Sequence, residues 1–327
     1  MKPFRRIGSL AAVLLAFSFG AGQAGAYELA KGAPIRMIVP LSPGSTVDVV
    51  ARIMGNQMSK TMGHSVVVEN VAGAGGVPGT GQIVRAAKDG SVLGMISSNH
   101  VINPSIYKKI PFDSIKDITP ITVLGTVPLV LVVHPSLPVK DVKELIALAR
   151  AKPDSLNVGS AGNGSTLHLA AELLAAEAGG LKFRHIPYKG TGPMTTDLLG
   201  NQIQAGFVSV TVAAPLVKNG KLRALGVSTP ARTPYLPNVP TLAEQGLPNY
   251  SFDAWIAVIG PAGLPQGQVA RYYKETKLAL DSKEVRDGLA AQGITVIGNT
   301  PEQAAQFFRT ELVKHANLVK RSGASLD

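Results

Sequence analysis

The chain has 327 residues, a formal net charge of +11 and no cysteine. The missing thiols exclude a lipid-anchored cysteine, disulfides, iron–sulfur clusters and thiolate catalysis. Lys and Arg are scattered and aromatics are few, which argues against a nucleic-acid partner and leaves small anionic molecules as the natural match for the basic balance.

Lys2, Arg5 and Arg6 precede a mostly apolar run over 7–19, and Ala24-Gly25-Ala26 supplies a small-x-small cleavage pattern. Residues 1–26 therefore read as a cleaved signal peptide, with a mature chain beginning near Tyr27 and placed in the periplasm. Removing them takes away three basic residues and no acid, so the remaining 301 residues carry +8. That length suits two domains with sizeable cores. No later stretch reaches the ~20 apolar residues of a membrane span.

Short β-branched runs then alternate with helical patterns. Ile35-Arg36-Met37-Ile38-Val39 predicts a strand, 47–62 a helix, 65–69 and 92–98 further strands, and 129–133 another apolar run. A helix is expected over 141–151, where Asp141 and Glu144 are spaced as a capping box. A strand end at 157–160 leads to a helix over 167–178, stopped by Gly179-Gly180. Strands follow over 184–188, 204–209 and 222–228. Thr300-Pro301-Glu302-Gln303 starts a last helix that runs to about 321 and stops at Gly323. Repeated β–helix–β units imply an α/β chain with mostly parallel sheets. Two such sheets predict two lobes, 27–129 with 253–327 and 130–252, crossed by the apolar strands 129–134 and 255–260.

Two strand-to-helix turns stand out chemically. Pro40-Leu41-Ser42-Pro43-Gly44-Ser45-Thr46-Val47-Asp48 places Ser42, Gly44, Ser45 and Thr46 at a helix start, where unpaired amides and the helix dipole favour an anion. The same residue types also serve as ordinary caps. Gly159-Ser160-Ala161-Gly162-Asn163-Gly164-Ser165-Thr166 repeats the arrangement but lacks the Lys of a phosphate loop, which favours a carboxylate over a nucleotide. A third glycine run, Gly73 to Gly81, fits a dinucleotide loop poorly: Pro78 interrupts it and no acidic residue with a supporting strand follows at the required spacing. It reads as structural, and no cofactor is expected.

His168 and Glu172 lie one helical turn apart without a third partner, so they read as support for the 162 loop or a surface pair and not as metal ligands. His64 and His315 are expected in solvent. No Gly-x-Ser-x-Gly elbow occurs, and nothing sets a nucleophile beside a base, so no catalytic residue is assigned. Phe252 and Trp255 serve equally as core or as a wall of a cleft. Tyr188-Lys189-Gly190-Thr191 ends a strand where the Tyr188 hydroxyl or the Gly190 backbone can extend a cleft.

These residues taken in order resemble the Bug family of periplasmic receptors, the binding components of tripartite tricarboxylate transporters. The resemblance covers nearly the whole mature chain. It is carried by the Pro-Gly…Asp-Val-Val-Ala-Arg helix start, Val66-Val67-Val68-Glu69-Asn70 with Gly73-Ala74-Gly75-Gly76, and Ser160 to Ser165 with His168-Leu169-Ala170. His185-Ile186-Pro187-Tyr188-Lys189-Gly190 and Pro237-Asn238-Val239-Pro240-Thr241-Leu242-Ala243-Glu244-Gln245-Gly246-Leu247-Pro248 are especially specific. It implies a two-lobed periplasmic-binding-protein fold of type II that closes on a carboxylate by hinge motion, as a monomer serving a membrane permease. The implied contacts are Ser42, Gly44, Ser45 and Thr46 from one loop and Ala161, Asn163, Ser165 and Thr166 from the other, with Tyr188 and Ser209 lining the cleft.

Two departures matter. Ser45 and Val47 stand where relatives usually carry a second Gly and a hydroxyl residue, and Ser209 stands where they often carry an Asp. A ligand amino group would lose its anionic partner there, so a dicarboxylate or aromatic acid is expected in preference to an amino acid. A sensor-kinase adaptor would use the same site, and a periplasmic enzyme acting on a carboxylic acid would need machinery that the chain does not display.

Overall fold

A computed structural model describes residues 32–322. The signal-peptide reading of 1–26 and the expected helix stop at Gly323 lie outside the described residues. The chain runs through β1 (Ile35–Val39), α1 (Thr46–Met62), β2 (Val66–Asn70), α2 (Val77–Val84), β3 (Val92–Ser97), α3 (Asn99–Ile106) and a sixteen-residue strand, β4 (Ile118–Val133). It continues through α4 (Val142–Ala151), β5 (Asn157–Ser160), α5 (Thr166–Glu177), β6 (Arg184–Pro187), α6 (Thr191–Leu199), β7 (Ala205–Ser209), α7 (Val210–Lys218) and β8 (Arg223–Val227). The return passes through β9 (Asp253–Pro261), α8 (Gln266–Asp281), α9 (Lys283–Ala291), β10 (Thr295–Val296) and α10 (Pro301–Ser322).

The sheets are mixed, not mostly parallel. β1 pairs in parallel with β2 and β3, and β5 pairs in parallel with β6 and β7. Between these groups β9 runs antiparallel to β3 and β4, and β4 runs antiparallel to β7 and β8. The reason is chain direction: β4 leaves the first lobe and β9 re-enters it, so the two must oppose. β4 belongs to both sheets. Its residues through Pro128 pair with β9, and from Leu129 onward they pair with β7 and β8. The chain comes back at Phe252, whose amide donates to Ser228 O (3.0 Å), immediately before Asp253 joins the first sheet opposite Pro128. Residues 255–260 thus lie within the first sheet. The outcome is a two-lobed α/β fold with a cleft between the lobes.

Strand alternation builds the core. Ile35, Met37 and Val39 of β1 face one cluster with Val50, Met54 and Met58 of α1, while Ile38 faces the opposite cluster with Ile83, Trp255 and Phe308. That is the period of two expected of a sheet covered on both sides. Each such fully buried side chain contributes about 1.5–3 kcal/mol. A separate cluster fills the second lobe around Leu131, Leu169, Met194 and Phe207. α10 packs against both α3 and α5, so it spans the two lobes behind the cleft.

Several expectations change here. His64 and His315 are buried, 8% and 0% exposed, His64 with a backbone acceptor and His315 beside a carboxylate. His64 Nδ1 lies 2.9 Å from Ala33 O. His315 lies 3.2 Å from Glu311 Oε2 and sits edge-on to Phe252. Trp255 is core: it is 1% exposed, packs edge-to-face on Phe307 and Phe308, and donates through Nε1 to Glu311 Oε2 (3.0 Å). Burial pushes the Glu311 carboxyl up, but His315 and Lys314 outweigh that and hold it below the usual carboxylate range.

Candidate functional site: two helix starts across one cleft

The turn between β1 and α1 is organised from within. Ser45 is the N-cap of α1, with backbone angles of −67° and 156°, and its Oγ accepts from the Asp48 amide (3.3 Å). Asp48 folds back to accept from the Gly44 amide (2.9 Å) and pairs with Arg52 (2.9 Å). Burial pushes the Asp48 carboxyl up, but those partners and Asn70 outweigh it and hold the group below its ordinary range. Asp48 is thus an organiser of the loop. The Gly44 amide is committed to it, whereas the amides of Thr46 and Val47 make no hydrogen bond among the described residues.

The turn between β5 and α5 follows the same plan. Ser165 is the N-cap of α5 and accepts from the His168 amide (3.2 Å). A capping hydroxyl accepts with a lone pair, so Ser45 and Ser165 each keep a proton to donate. Ser160 Oγ accepts from the Gly162 amide (3.2 Å) and lies 2.7 Å from His185 Nε2. His168 Nδ1 accepts from the Gly164 amide (3.2 Å), its ring stacks on His185 at 3.9 Å, and its Nε2 lies 3.5 Å from Glu172. The pair therefore supports the 162 loop from below. Among the described residues no group of three metal-ligating side chains gathers.

The loops of the two lobes touch. Ser42 Oγ donates to Lys189 O (2.9 Å), and Thr46 Oγ1 donates to Ser209 Oγ (3.1 Å), which is 2.8 Å from Thr211 Oγ1. Asn99 Oδ1 accepts from the Thr166 amide (2.8 Å) and from the Thr166 hydroxyl. Tyr107 OH donates to Asn163 O (3.4 Å).

These contacts border two adjoining spaces. An inner chamber of about 100 Å³ lies at both helix starts, bordered by Ser45, Thr46, Ser165, Thr166 and Ser209, with Trp255 in its apolar wall. An outer vestibule of about 980 Å³ is bordered by Ser42, Ala161, Asn163 and Tyr188. Nine of the ten residues singled out in the sequence thus border the cleft, and Gly44 lies behind it, holding Asp48. Ser45, Ala161 and Ser165 border both spaces. Tyr188 contributes its ring, because its hydroxyl donates to Asp197 (2.7 Å); burial and then that carboxylate push it up to about 12. The glycine run at 73–76 forms part of the vestibule wall. Further along, Gly79 lets α2 lie against β1's exit, where a Cβ would stand 2.7 Å from Val71 O and 2.9 Å from Pro40 Cα. No acidic side chain borders either space.

Asn99, Tyr107, Lys189 and Thr211 were not singled out for these roles by the sequence. Ser98-Asn99-His100 follows β3 just as the other turns follow their strands, which was the available signal. Beside Asn99, His100 donates from Nε2 to Ser114 O (2.7 Å) and stacks on Phe112. Burial lowers it from 6.5 to about 4, and burial with the neighbouring His168 lowers His185 to about 4, against Glu172. Both bind a proton less readily in the folded state, so the unfolded chain takes up more protons between pH 6.5 and 4. Stability is expected to be full above pH 6.5 and to fall as pH drops through that window. His100 alone accounts for about 3 kcal/mol below pH 4, or a melting-temperature loss of about 6–12 °C. Melting curves against pH check this, and His100→Gln should flatten the slope.

A family model described as the tripartite tricarboxylate transporter family receptor matches residues 50–324. The protein BugT of Bordetella pertussis is 37% identical over 295 residues, covering 90% of each chain. Among solved structures, R. palustris Rpa4515 with adipate superposes with a TM-score of 0.85 at 30% identity, over 90% of this chain and 98% of that one. MatC (Rpa3494) from Rhodopseudomonas palustris with bound malate superposes with a TM-score of 0.83 at 30% identity, over 88% and 98%. No helix among the described residues is long and apolar enough to cross a membrane.

Proposed function

Because the chain belongs to the tripartite tricarboxylate transporter receptor family, we propose that it is a periplasmic solute-binding protein that captures a small carboxylate between its lobes and delivers it to a membrane permease of that transporter type. One observation carries the reading: the N-termini of α1 and α5, from opposite lobes, meet at one chamber bordered by hydroxyls. Free amides at Thr46 and Val47, the donor protons of Ser45 and Ser165, and two converging helix dipoles suit a carboxylate. Carboxylates held by the similar proteins, adipate and malate, support the same class.

In this reading residues 1–26 are a removed export signal, 27–129 with 253–327 form one lobe, and 130–252 the other. Ser42, Gly44, Ser45, Thr46, Ala161, Asn163, Ser165, Thr166, Tyr188 and Ser209 form the site, with Gly44 acting through the loop it shapes. The ligand bridges the lobes and shifts an open–closed equilibrium by its extra contacts in the closed form. The absence of acidic side chains from both spaces disfavours an amino-acid ligand, since its ammonium would be left unpaired. A dicarboxylate or aromatic acid fits. The protein binds and releases without catalysis.

The test is a thermal-shift screen of the mature protein, unfolded and refolded to strip any ligand, against C4 to C8 dicarboxylates, tricarboxylates, aromatic acids and acidic amino acids. Binding to the native state raises the melting temperature. A shift for one carboxylate class, reduced by Ser165→Ala, which removes a hydroxyl proton left free by capping, with an affinity loss of about tenfold, is expected. A folded protein that answers to no carboxylate sinks the proposal.

A further inference from the structure

The inner chamber has no charged residue in its lining. It can hold one carboxylate by hydroxyls and amides, but it has nothing for a second charge. The vestibule differs. It is nearly ten times larger, and it is bordered by Lys108, Lys109 and Lys189 without a single Asp or Glu. The two spaces share walls at Leu41, Ser45, Asn99, Ala161, Ser165 and Thr191, so they adjoin.

The lysines come from both sides of the cleft. Lys109 follows α3 of the first lobe, and Lys189 lies between β6 and α6 of the second. Neither has a carboxylate within ion-pair distance among the described residues, whereas Lys60, Lys116, Lys277, Lys283 and Lys314 do. The Lys189 backbone is already fixed at the lip, where its carbonyl accepts from Ser42. Closing the cleft brings Lys109 and Lys189 toward one space whose lining holds no Asp or Glu. A ligand carboxylate arriving there would offset their repulsion and attract both lobes, adding to the drive for closure.

We propose that the vestibule is a second subsite, in which Lys109 and Lys189 receive the distal carboxylate of a linear dicarboxylate whose first carboxylate fills the inner chamber. This rests on the inner chamber being the primary carboxylate site. It chooses between the two ligand classes left open above: an aromatic monoacid gains nothing from these ammonium groups, and a ligand amine is repelled by them.

Calorimetry of the stripped mature protein with linear mono- and dicarboxylates of matched length, C4 to C8, tests the idea. The best dicarboxylate is expected to bind about tenfold or more tightly than the monoacid of equal length, as two partly screened ion pairs allow. In a Lys109→Gln/Lys189→Gln variant that advantage should collapse toward unity, with monoacid affinity held within about twofold, as expected of exposed charges remote from the chamber. Added salt should erode the dicarboxylate advantage in the unmodified protein alone. A dicarboxylate preference that survives in the double variant, or no preference at all, overturns the second subsite. Ser165→Ala, which removes a free donor of the chamber, separates the two readings. If it weakens monoacid and dicarboxylate alike while the lysine variant changes nothing, the chamber stands and the second subsite falls. If no carboxylate of either kind binds, both fall.

Discussion

Gly190→Ala is expected to weaken carboxylate binding by about 10- to 100-fold while both lobes stay folded. Gly190 immediately precedes α6 at the lip of the cleft, and a Cβ there would stand 2.7 Å from Ser42 Oγ and 3.2 Å from Ser42 Cβ. Overpacking at such a contact costs about 1–3 kcal/mol, and each 1.4 kcal/mol is about tenfold in affinity. The clash exists only when the lobes meet, so it should fall on closure and hence on ligand affinity. The residue's φ of +154° adds some backbone strain to the lobe itself, which should appear as a small drop in melting temperature without ligand. Combining Gly190→Ala with Ser42→Gly distinguishes the two costs. The smaller partner relieves the clash but also removes the Ser42 hydrogen bond to Lys189 O, so it should restore only part of the affinity and none of the ligand-free stability. Calorimetry and melting curves on the two variants read these separately. Unchanged affinity in Gly190→Ala would mean that the ligand is held without the approach of Ser42 to Lys189.

Trp255→Ala should produce the largest loss of stability, about 4 kcal/mol. Trp255 is among the largest fully buried side chains, and it packs edge-to-face on two phenylalanines. Its removal leaves a cavity and also takes the indole donor from Glu311, a carboxylate that is only 6% exposed. For a chain of this size the melting temperature should fall by about 8–16 °C. Trp255→Phe keeps most of the volume and loses the hydrogen bond to a charged acceptor, so a smaller loss of about 1.5–3 kcal/mol is expected. Equal losses in the two variants would show that the hydrogen bond, and not the packing, dominates.

The two chamber-forming turns were legible because their signals are local. Gly, Ser and Thr between a β-branched run and a helical pattern announce a capped helix start wherever they stand. Asn99 was not legible in this way. Its role depends on meeting Thr166, 67 positions later, and no spacing rule links the two. Tyr188 was correctly placed on the cleft, but the direction of its hydroxyl depends on Asp197, one helix further on. The first half of β4 was hidden by Thr119, Pro120 and Pro128, which break the apolar run. The sheet accommodates it through register shifts between Pro120 and Thr122 and between Val123 and Gly125. The burial of His64 likewise depends on the Ala33 carbonyl, 31 positions earlier. Glu311 stands four residues before His315 on one helix, so that pair was visible in the spacing, but the packing of Phe252 that buries it was not.

Trp255 is also the only tryptophan in the sequence. It borders the inner chamber, and its indole touches a buried carboxylate from α10, the helix that rests on both lobes. The protein therefore carries a single built-in optical reporter at the point where solute entry and lobe movement converge. Its emission is uncontaminated by any second indole, so displacement of water from the chamber or a change in the Glu311 contact can be followed in the unlabelled molecule, in real time.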